Sequence, residues 1–274
     1  MMVSMTKNKF MTQEDLKVHT MAEMMAQGQQ PEVLFWVGCS GSFDDRAKRI
    51  TKAFVRILNR ANVPFAVLGT EEGCTGDPAK RAGNEFLFQM QAMMNIQVLD
   101  GYEVKKIVTA CPHCFNTIKN EYPGLGGNYE VVHHTEFLKS LLDDGRLTVK
   151  GGEFKGKKIT FHDPCYLGRA NNIYEAPREL IEKLDAELVE MKRSRRNGLC
   201  CGAGGAQMFK EPEPGKKDVN VERTEDALET QPEIIAAGCP FCNTMLTDGV
   251  KAKDREADVK VLDVAELIAN AQDI

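Results

Sequence analysis

The residues of this chain best suited to chemistry are nine cysteines, at positions 39, 74, 111, 114, 165, 200, 201, 239 and 242. Two of them are neighbours, Cys200 and Cys201, in the glycine-rich stretch "RNGLCCGAGGAQMF" (196–209), where there is little apolar bulk to bury them. An inert cysteine behaves as a small core hydrophobe among aliphatic side chains. Thiolates gathered together form a soft donor set that suits zinc, copper(I) or iron–sulfur clusters. Four thiolates satisfy tetrahedral zinc. The set Cys165, Cys200, Cys201, Cys239 and Cys242 offers a fifth that one zinc ion does not use. The adjacent pair is therefore expected to serve a polynuclear centre.

The cysteines fall into two registers. Cys39 aligns with Cys165, Cys74 with Cys201, Cys111 with Cys239 and Cys114 with Cys242, at offsets of 126, 127, 128 and 128 residues. The flanking text agrees: "IVTACPHCFNTI" answers "IIAAGCPFCNTM". Self-similarity at a fixed period means one supersecondary unit used twice. The unmatched thiol is Cys200, whose counterpart is Gly73 in "EEGCTGD". The expected division is an N-terminal extension at 1–30, a four-cysteine domain at 31–150 and a five-cysteine domain at 151–274, with a Gly- and charge-rich seam at 143–158.

Short apolar runs alternate with helical periodicity in each copy, which implies parallel sheets covered by helices. The expected fold is α/β, with two tandem Rossmann-like lobes related by internal duplication. In the first copy, strands are predicted at "EVLFWVG", "PFAVLG", "KKIVTA" and "YEVVHH". Helices are predicted over 44–62, 78–95, 114–122 and 135–145. The second copy repeats the pattern, with "KKITFH", "ELVEMKR", "EIIAAG" and "DVKVLD" as strands. Cys39, Cys111, Cys165 and Cys239 follow strands closely. Loops at the carboxyl ends of parallel strands gather on one edge, where ligand sites form. Each Cys-Pro-x-Cys also puts its second thiol at a helix start, where backbone N–H groups favour thiolate.

Composition narrows the function. The 274 residues carry a net charge of −5, which argues against nucleic acid as a partner. No apolar run reaches the roughly 18 residues that span a bilayer. Nine cysteines in a chain expected to be cytoplasmic point to metal or redox chemistry rather than disulfides.

Thirty-four residues separate Cys165 from Cys200 and 37 separate Cys201 from Cys239. With the doublet followed by Gly202, this spacing resembles the cysteine-rich CCG domain. That domain defines the catalytic cysteine-rich subunit of heterodisulfide reductases and recurs in the iron–sulfur subunits of glycolate- and lactate-oxidising enzymes. The resemblance covers roughly 31–270. It implies a non-cubane [4Fe–4S] cluster on Cys165, Cys200, Cys201, Cys239 and Cys242. Cys39, Cys74, Cys111 and Cys114 match the first site. Gly73 leaves that site four thiolates, enough for zinc or a cubane cluster, and sets it apart from two-cluster heterodisulfide chemistry. Many relatives also carry ferredoxin-type cysteine runs, which this sequence lacks. The implied role is an oxidoreductase subunit that exchanges electrons with a ferredoxin-like, flavoprotein or quinone-linked membrane partner, and with a small disulfide or a second partner. Association with a membrane would then come through that partner.

Two other functions remain open from the residues alone: a zinc-stabilised interaction module, and a cluster-free thiol–disulfide oxidoreductase built on Cys-x-x-Cys. His162 and Asp163 precede a ligand cysteine. They could hydrogen-bond to sulfur or shape a strand-end turn, and the turn is favoured. His113 matches Phe241 in the other copy, which argues against a ligand role. His133 and His134 are expected to satisfy backbone groups or face solvent. Arg81 and Arg169 could offset thiolate charge or form surface ion pairs. The run "LFQMQAMMN" is expected to pack into the core.

Overall fold

A computed structural model describes residues 16–150, 152–211 and 214–274. The predicted alternation folds as two separate sheets of parallel strands. The first lobe contains β1 (His19–Thr20), α1 (Met21–Ala26), β2 (Val33–Trp36), α2 (Gly38–Phe43), α3 (Ala47–Arg60), β3 (Phe65–Val67), α4 (Asp77–Arg81), α5 (Glu85–Gly101), β4 (Lys106–Thr109), α6 (Pro112–Asn116), β5 (Glu130–His133) and α7 (His134–Asp143). The second contains β6 (Lys158–Phe161), α8 (Glu175–Glu182), β7 (Glu187–Leu188), α9 (Val219–Leu228), β8 (Ile234–Ala237), α10 (Pro240–Ala252), β9 (Lys260–Asp263) and α11 (Val264–Ala271).

The sheet orders are β1-β3-β2-β4-β5 and β7-β6-β8-β9. All strand pairings are parallel. Four strands therefore recur in the same order, and the duplication expected from the cysteine register holds in three dimensions. In both lobes the chain reverses its direction of growth across the sheet, between β2 and β4 in the first and between β6 and β8 in the second. In open α/β sheets that switch point opens the crevice where ligands bind. β2 and β8 are buried along their whole length, as expected of central strands covered on both faces.

Some elements depart from the predicted ones. The helix expected over 78–95 is two helices, because Gly83 takes a left-handed φ of 85° and Asn84 starts α5 afresh, accepting from Leu87 N at 3.0 Å. The strand expected at 187–193 pairs over only two residues, β7. Residues 19–26, assigned to the extension, add β1 to the edge of β3 and cap it with α1.

The lobes pack by approximate twofold symmetry. α3 lies on α11 and α7 lies on α8, and these are equivalent pairs in the duplication. Arg46 forks Glu266 at 2.8 Å across the first contact, and Lys139 meets Glu179 at 3.1 Å across the second. One apolar core runs through both lobes and includes Phe35, Phe54, Phe137, Phe161, Ile181 and Leu267. His133 and His134 are wholly buried rather than solvent-facing. Their rings form a chain across the interface, from Thr135 Oγ1 (2.7 Å) through the His133–His134 contact (3.2 Å) to Asp263 Oδ1 (2.8 Å). His133 and Asp263 are the N-caps of the equivalent helices α7 and α11.

Burial, reinforced by His134, holds the His133 pKa well below the usual 6.5. The folded chain thus binds this proton more weakly than the unfolded chain. Its contribution to stability is full above the unfolded value of 6.5 and declines as pH falls below it. Denaturant titrations should lose up to about 1.4 kcal/mol per pH unit from this group on acidification below 6.5. His133→Asn, which keeps a capping side chain, should flatten the slope by that amount; equal slopes for the two proteins would contradict the assignment.

Candidate metal centres

In the second lobe three segments bring five sulfurs to the β6/β8 switch point. Cys165 lies in the turn after β6. Cys239 is the N-cap of α10, Pro240 opens that helix, and Cys242 lies in its first turn. Cys200 and Cys201 arrive on the long connection between β7 and α9. That connection is pinned at several points. Asp163 accepts two bonds from the buried Arg178, at 2.7 and 3.0 Å, and one from Arg195 N at 2.6 Å. Arg178 also forks Glu190, at 2.5 and 2.9 Å. Arg169 donates to the Gly198 carbonyl. Gly202 takes a left-handed φ of 92°, which turns the chain away from the doublet, and its N–H meets Cys200 Sγ at 3.3 Å. Asp163 therefore shapes a turn as expected, but by gripping an arginine on α8. Arg169 anchors the loop instead of offsetting charge.

The second set is tight. Cys201 Sγ and Cys242 Sγ are 3.2 Å apart. A ring nitrogen of His162 lies within 4.8 Å of both. Hydrogen bonds from Cys165 and Cys201 draw the Cys200 thiol far down, while its partners Cys165 and Cys201 are pushed up. Burial opposes ionisation of Cys239, but hydrogen bonds from Cys242 and His113 outweigh it and lower that thiol to about 5. Sulfurs that compete so strongly for charge are arranged for a cation.

The first lobe repeats the design with four sulfurs. Cys39 sits in α2, Cys74 in the loop after β3, Cys111 at the N-cap of α6 and Cys114 in its first turn. Gly38 has a φ of 78°, and a Cβ there would stand 3.3 Å from Cys114 Sγ. Glu72 braces the loop by accepting from Val37 N and Gly38 N at 2.9 and 2.6 Å. A hydrogen bond from Cys39 lowers Cys74 to about 6 against the effect of burial. Arg81 pairs with Asp77 at 3.1 Å and with Glu121, so its charge is spent on carboxylates.

The middle residues of the two Cys-Pro-x-Cys motifs reach into the opposite lobe. His113 bonds Asp77 Oδ2 at 2.9 Å, and its ring meets Tyr166 and Phe241 edge-on at 4.7 and 5.2 Å. The ring also comes close enough to Cys239 of the second set for that thiol to raise the His113 pKa, against the effect of burial. Phe241 in turn lines the cavity beside Cys39, Cys74 and Cys114. The two sets thus face one another across a single layer of side chains. Beyond them, an apolar groove of about 540 Å³ lined by Cys39, Phe43, Met208, Phe209, Phe241 and Met245 opens to solvent. A second groove, of about 660 Å³, borders Cys74 and Met94. The methionine run does not pack as expected: Met93 and Met94 on α5 are 61% and 65% exposed.

The donor sets fit iron–sulfur centres. Both are all-sulfur, glycine lets the backbone approach the sulfurs, and a wholly buried ring nitrogen of His162 has no partner among the described residues. At Gly73, the position of the missing thiol, a Cβ would meet Asn95 Oδ1 at 2.8 Å. Asn95 is buried and held by bonds from its amide to Cys74 O (2.8 Å) and Tyr122 Oη (3.0 Å). No sequence signal pointed to Asn95. Gly73→Cys should therefore cost about 1–3 kcal/mol by overpacking, and adding Asn95→Ala should recover part of it in thermal denaturation. A Gly73→Cys variant as stable as the parent would show that Asn95 yields freely.

The profile of the cysteine-rich (CCG) domain matches residues 33–119 and 159–247, one match in each lobe. A protein of Bacillus subtilis named probable iron-sulfur-binding oxidoreductase FadF is 49% identical over 94% of this chain and 36% of its own length. The EtfAB:quinone oxidoreductase of Syntrophomonas wolfei is 46% identical over 90% of this chain and 35% of its own. One subunit of the dihydromethanophenazine:CoB–CoM heterodisulfide reductase of Methanosarcina barkeri is 35% identical over 88% of this chain and 59% of its own. The chain thus spans about a third of the length of the first two relatives. Their names support iron–sulfur binding and an oxidoreductase role. Among the described residues no helix is long and apolar enough to cross a membrane. The chain belongs to the cysteine-rich (CCG) domain family and carries that domain twice.

Proposed function

We propose that this chain is the electron-transferring cysteine-rich part of an iron–sulfur oxidoreductase. Cys165, Cys200, Cys201, Cys239 and Cys242 would hold a multi-iron centre in the second lobe. Cys39, Cys74, Cys111 and Cys114 would hold a four-thiolate centre, a cubane [4Fe–4S] cluster, in the first. The observation that carries the reading is the convergence of five sulfurs, from segments far apart in sequence, on one switch point. An iron–sulfur centre supplies one-electron chemistry. The chain's own contributions are to fix the sulfurs, to exclude water with the apolar layers around them, and to bring the two centres within one side-chain layer of each other.

Two partners are proposed. One is a protein electron donor, of the kind that the name of the Syntrophomonas relative couples to quinone. The other is a quinone-linked acceptor that would tether the assembly to a membrane. This assignment is preferred to disulfide reduction for two reasons. The relatives at 46% and 49% identity are named for quinone and for iron–sulfur oxidoreduction, whereas the heterodisulfide reductase relative stands at 35%. Gly73 also leaves the first centre one thiol short of the second. The groove at Cys39 favours a second reading, in which a small apolar disulfide or the partner's own side chain reaches the first centre.

The test is to purify the protein anaerobically and count iron, zinc and acid-labile sulfide. The wild type should carry iron and sulfide in equal amounts, about four of each per cluster. Cys200→Ser should lose or rebuild the second centre and leave the first. Zinc without sulfide, or a Cys200→Ser protein with unchanged metal and spectrum, would contradict the proposal.

A further inference from the structure

We propose that His162 is a fixed N–H donor to a sulfur of the second centre, and not a ligand to its metal. The inference rests on the reading that the five-thiol set holds an iron–sulfur cluster. His162 continues the line of β6: its backbone N–H pairs with Ala236 O at 2.9 Å, so the residue is placed as firmly as the strand. Its side chain is buried, and Arg223 Nε lies 2.9 Å from Nδ1.

A guanidinium donates and never accepts. Nδ1 must therefore present its lone pair to Arg223, and the ring's single proton resides on Nε2. Arg223 is itself wholly buried and held in place. Its Nη1 donates to Arg193 O at 2.7 Å and to Asp226 Oδ2 at 3.2 Å, and Arg193 forks the same carboxylate at 2.7 Å. Because Nδ1 is taken, Nε2 carries the ring's N–H, and a ring nitrogen of His162 lies within 4.8 Å of the sulfurs of Cys201 and Cys242. Nε2 has no hydrogen-bond partner among the described residues. To bind a metal it would need a lone pair, which moves the proton to Nδ1 and sets two donors against each other at Arg223. A doubly protonated ring meets the same clash and adds a second buried cation.

The duplication supplies an independent observation. The strand registers pair Phe35 with Val108 and Phe161 with Ala236, so Trp36 and His162 occupy equivalent positions at the ends of β2 and β6. Each is three residues before its cysteine, Cys39 or Cys165. Trp36 is wholly buried, its Nε1 likewise has no partner among the described residues, and it lines the cavity with Cys39, Cys74 and Cys114. An indole N–H donates and cannot ligate. The property that the two positions share is therefore an unpartnered ring N–H beside a thiol set.

An N–H donor to cluster sulfur favours the more negative, reduced state and raises the reduction potential. The experiment uses the iron-loaded protein, with iron and sulfide counted in each variant, and follows the midpoint by EPR-monitored titration together with pulsed EPR in H2O and D2O. The wild type should show an exchangeable proton coupled to the second cluster and no directly bound imidazole nitrogen. His162→Leu should lose that proton coupling and shift the midpoint to a more negative value. His162→Gln, which keeps an N–H donor, should restore part of the shift. A strongly coupled imidazole nitrogen in the wild type would overturn the inference. So would a cluster-replete His162→Leu protein with unchanged potential and proton coupling. If His162→Leu fails to assemble, the wild-type pulsed spectrum decides alone. Wild-type protein without sulfide would remove the cluster reading and this inference together, whereas an intact cluster without the proton coupling removes the inference only.

Discussion

The structure turns on thiolates held too close to be ionised alone. At the 3.2 Å that separates Cys201 Sγ from Cys242 Sγ, two unit negative charges repel by about 5 kcal/mol at an effective dielectric constant near 20. Several further thiols press on the same space. A chain that keeps such groups buried and unbridged has either to protonate them or to place a cation among them. The rest of the fold follows from that constraint. Parallel strands deliver the sulfurs to one edge, helix starts offer them N–H groups, and glycines remove the side chains that would stand in the way.

Duplication solves the placement twice and then uses the pairing of the copies. The lobes meet through α3 on α11 and α7 on α8, and the interface is threaded by the buried His133–His134–Asp263 chain. Because each lobe sends the middle residue of its Cys-Pro-x-Cys into the other, the two sulfur sets are neighbours rather than separate outposts. Electron exchange between the two proposed centres would need no moving part. The shared apolar core makes the relative position of the lobes part of the fold.

Much of this was legible in the sequence. The cysteine register revealed the duplication, and the apolar runs located the central strands β2, β4, β6 and β8. The α/β class and the gathering of thiols after strands followed from those runs. What was hidden lay in side-chain pairs with no sequence signature. Arg223 reads as an ordinary helix arginine, yet it sits 61 residues from His162 and fixes that ring's tautomer. Arg178 reads as surface charge but is buried against Asp163. Asn95 lies in a methionine-rich helix whose periodicity suggested simple packing, yet it occupies the space of the absent thiol. Trp36 reads as part of an apolar strand, and only the fold brings its indole N–H beside the first set. The break at Gly83 and Asn84 leaves little trace in the sequence, because helical residues continue on both sides of it.

The central claim is that five sulfurs of the second lobe surround one multi-iron core. Its most direct test is an anaerobic crystal structure of the iron-loaded protein with anomalous scattering collected at the iron edge. The account predicts several iron peaks in one cluster, with Sγ of Cys165, Cys200, Cys201, Cys239 and Cys242 all bound to it. A single metal peak on four of these sulfurs, with Cys200 turned away, would contradict it.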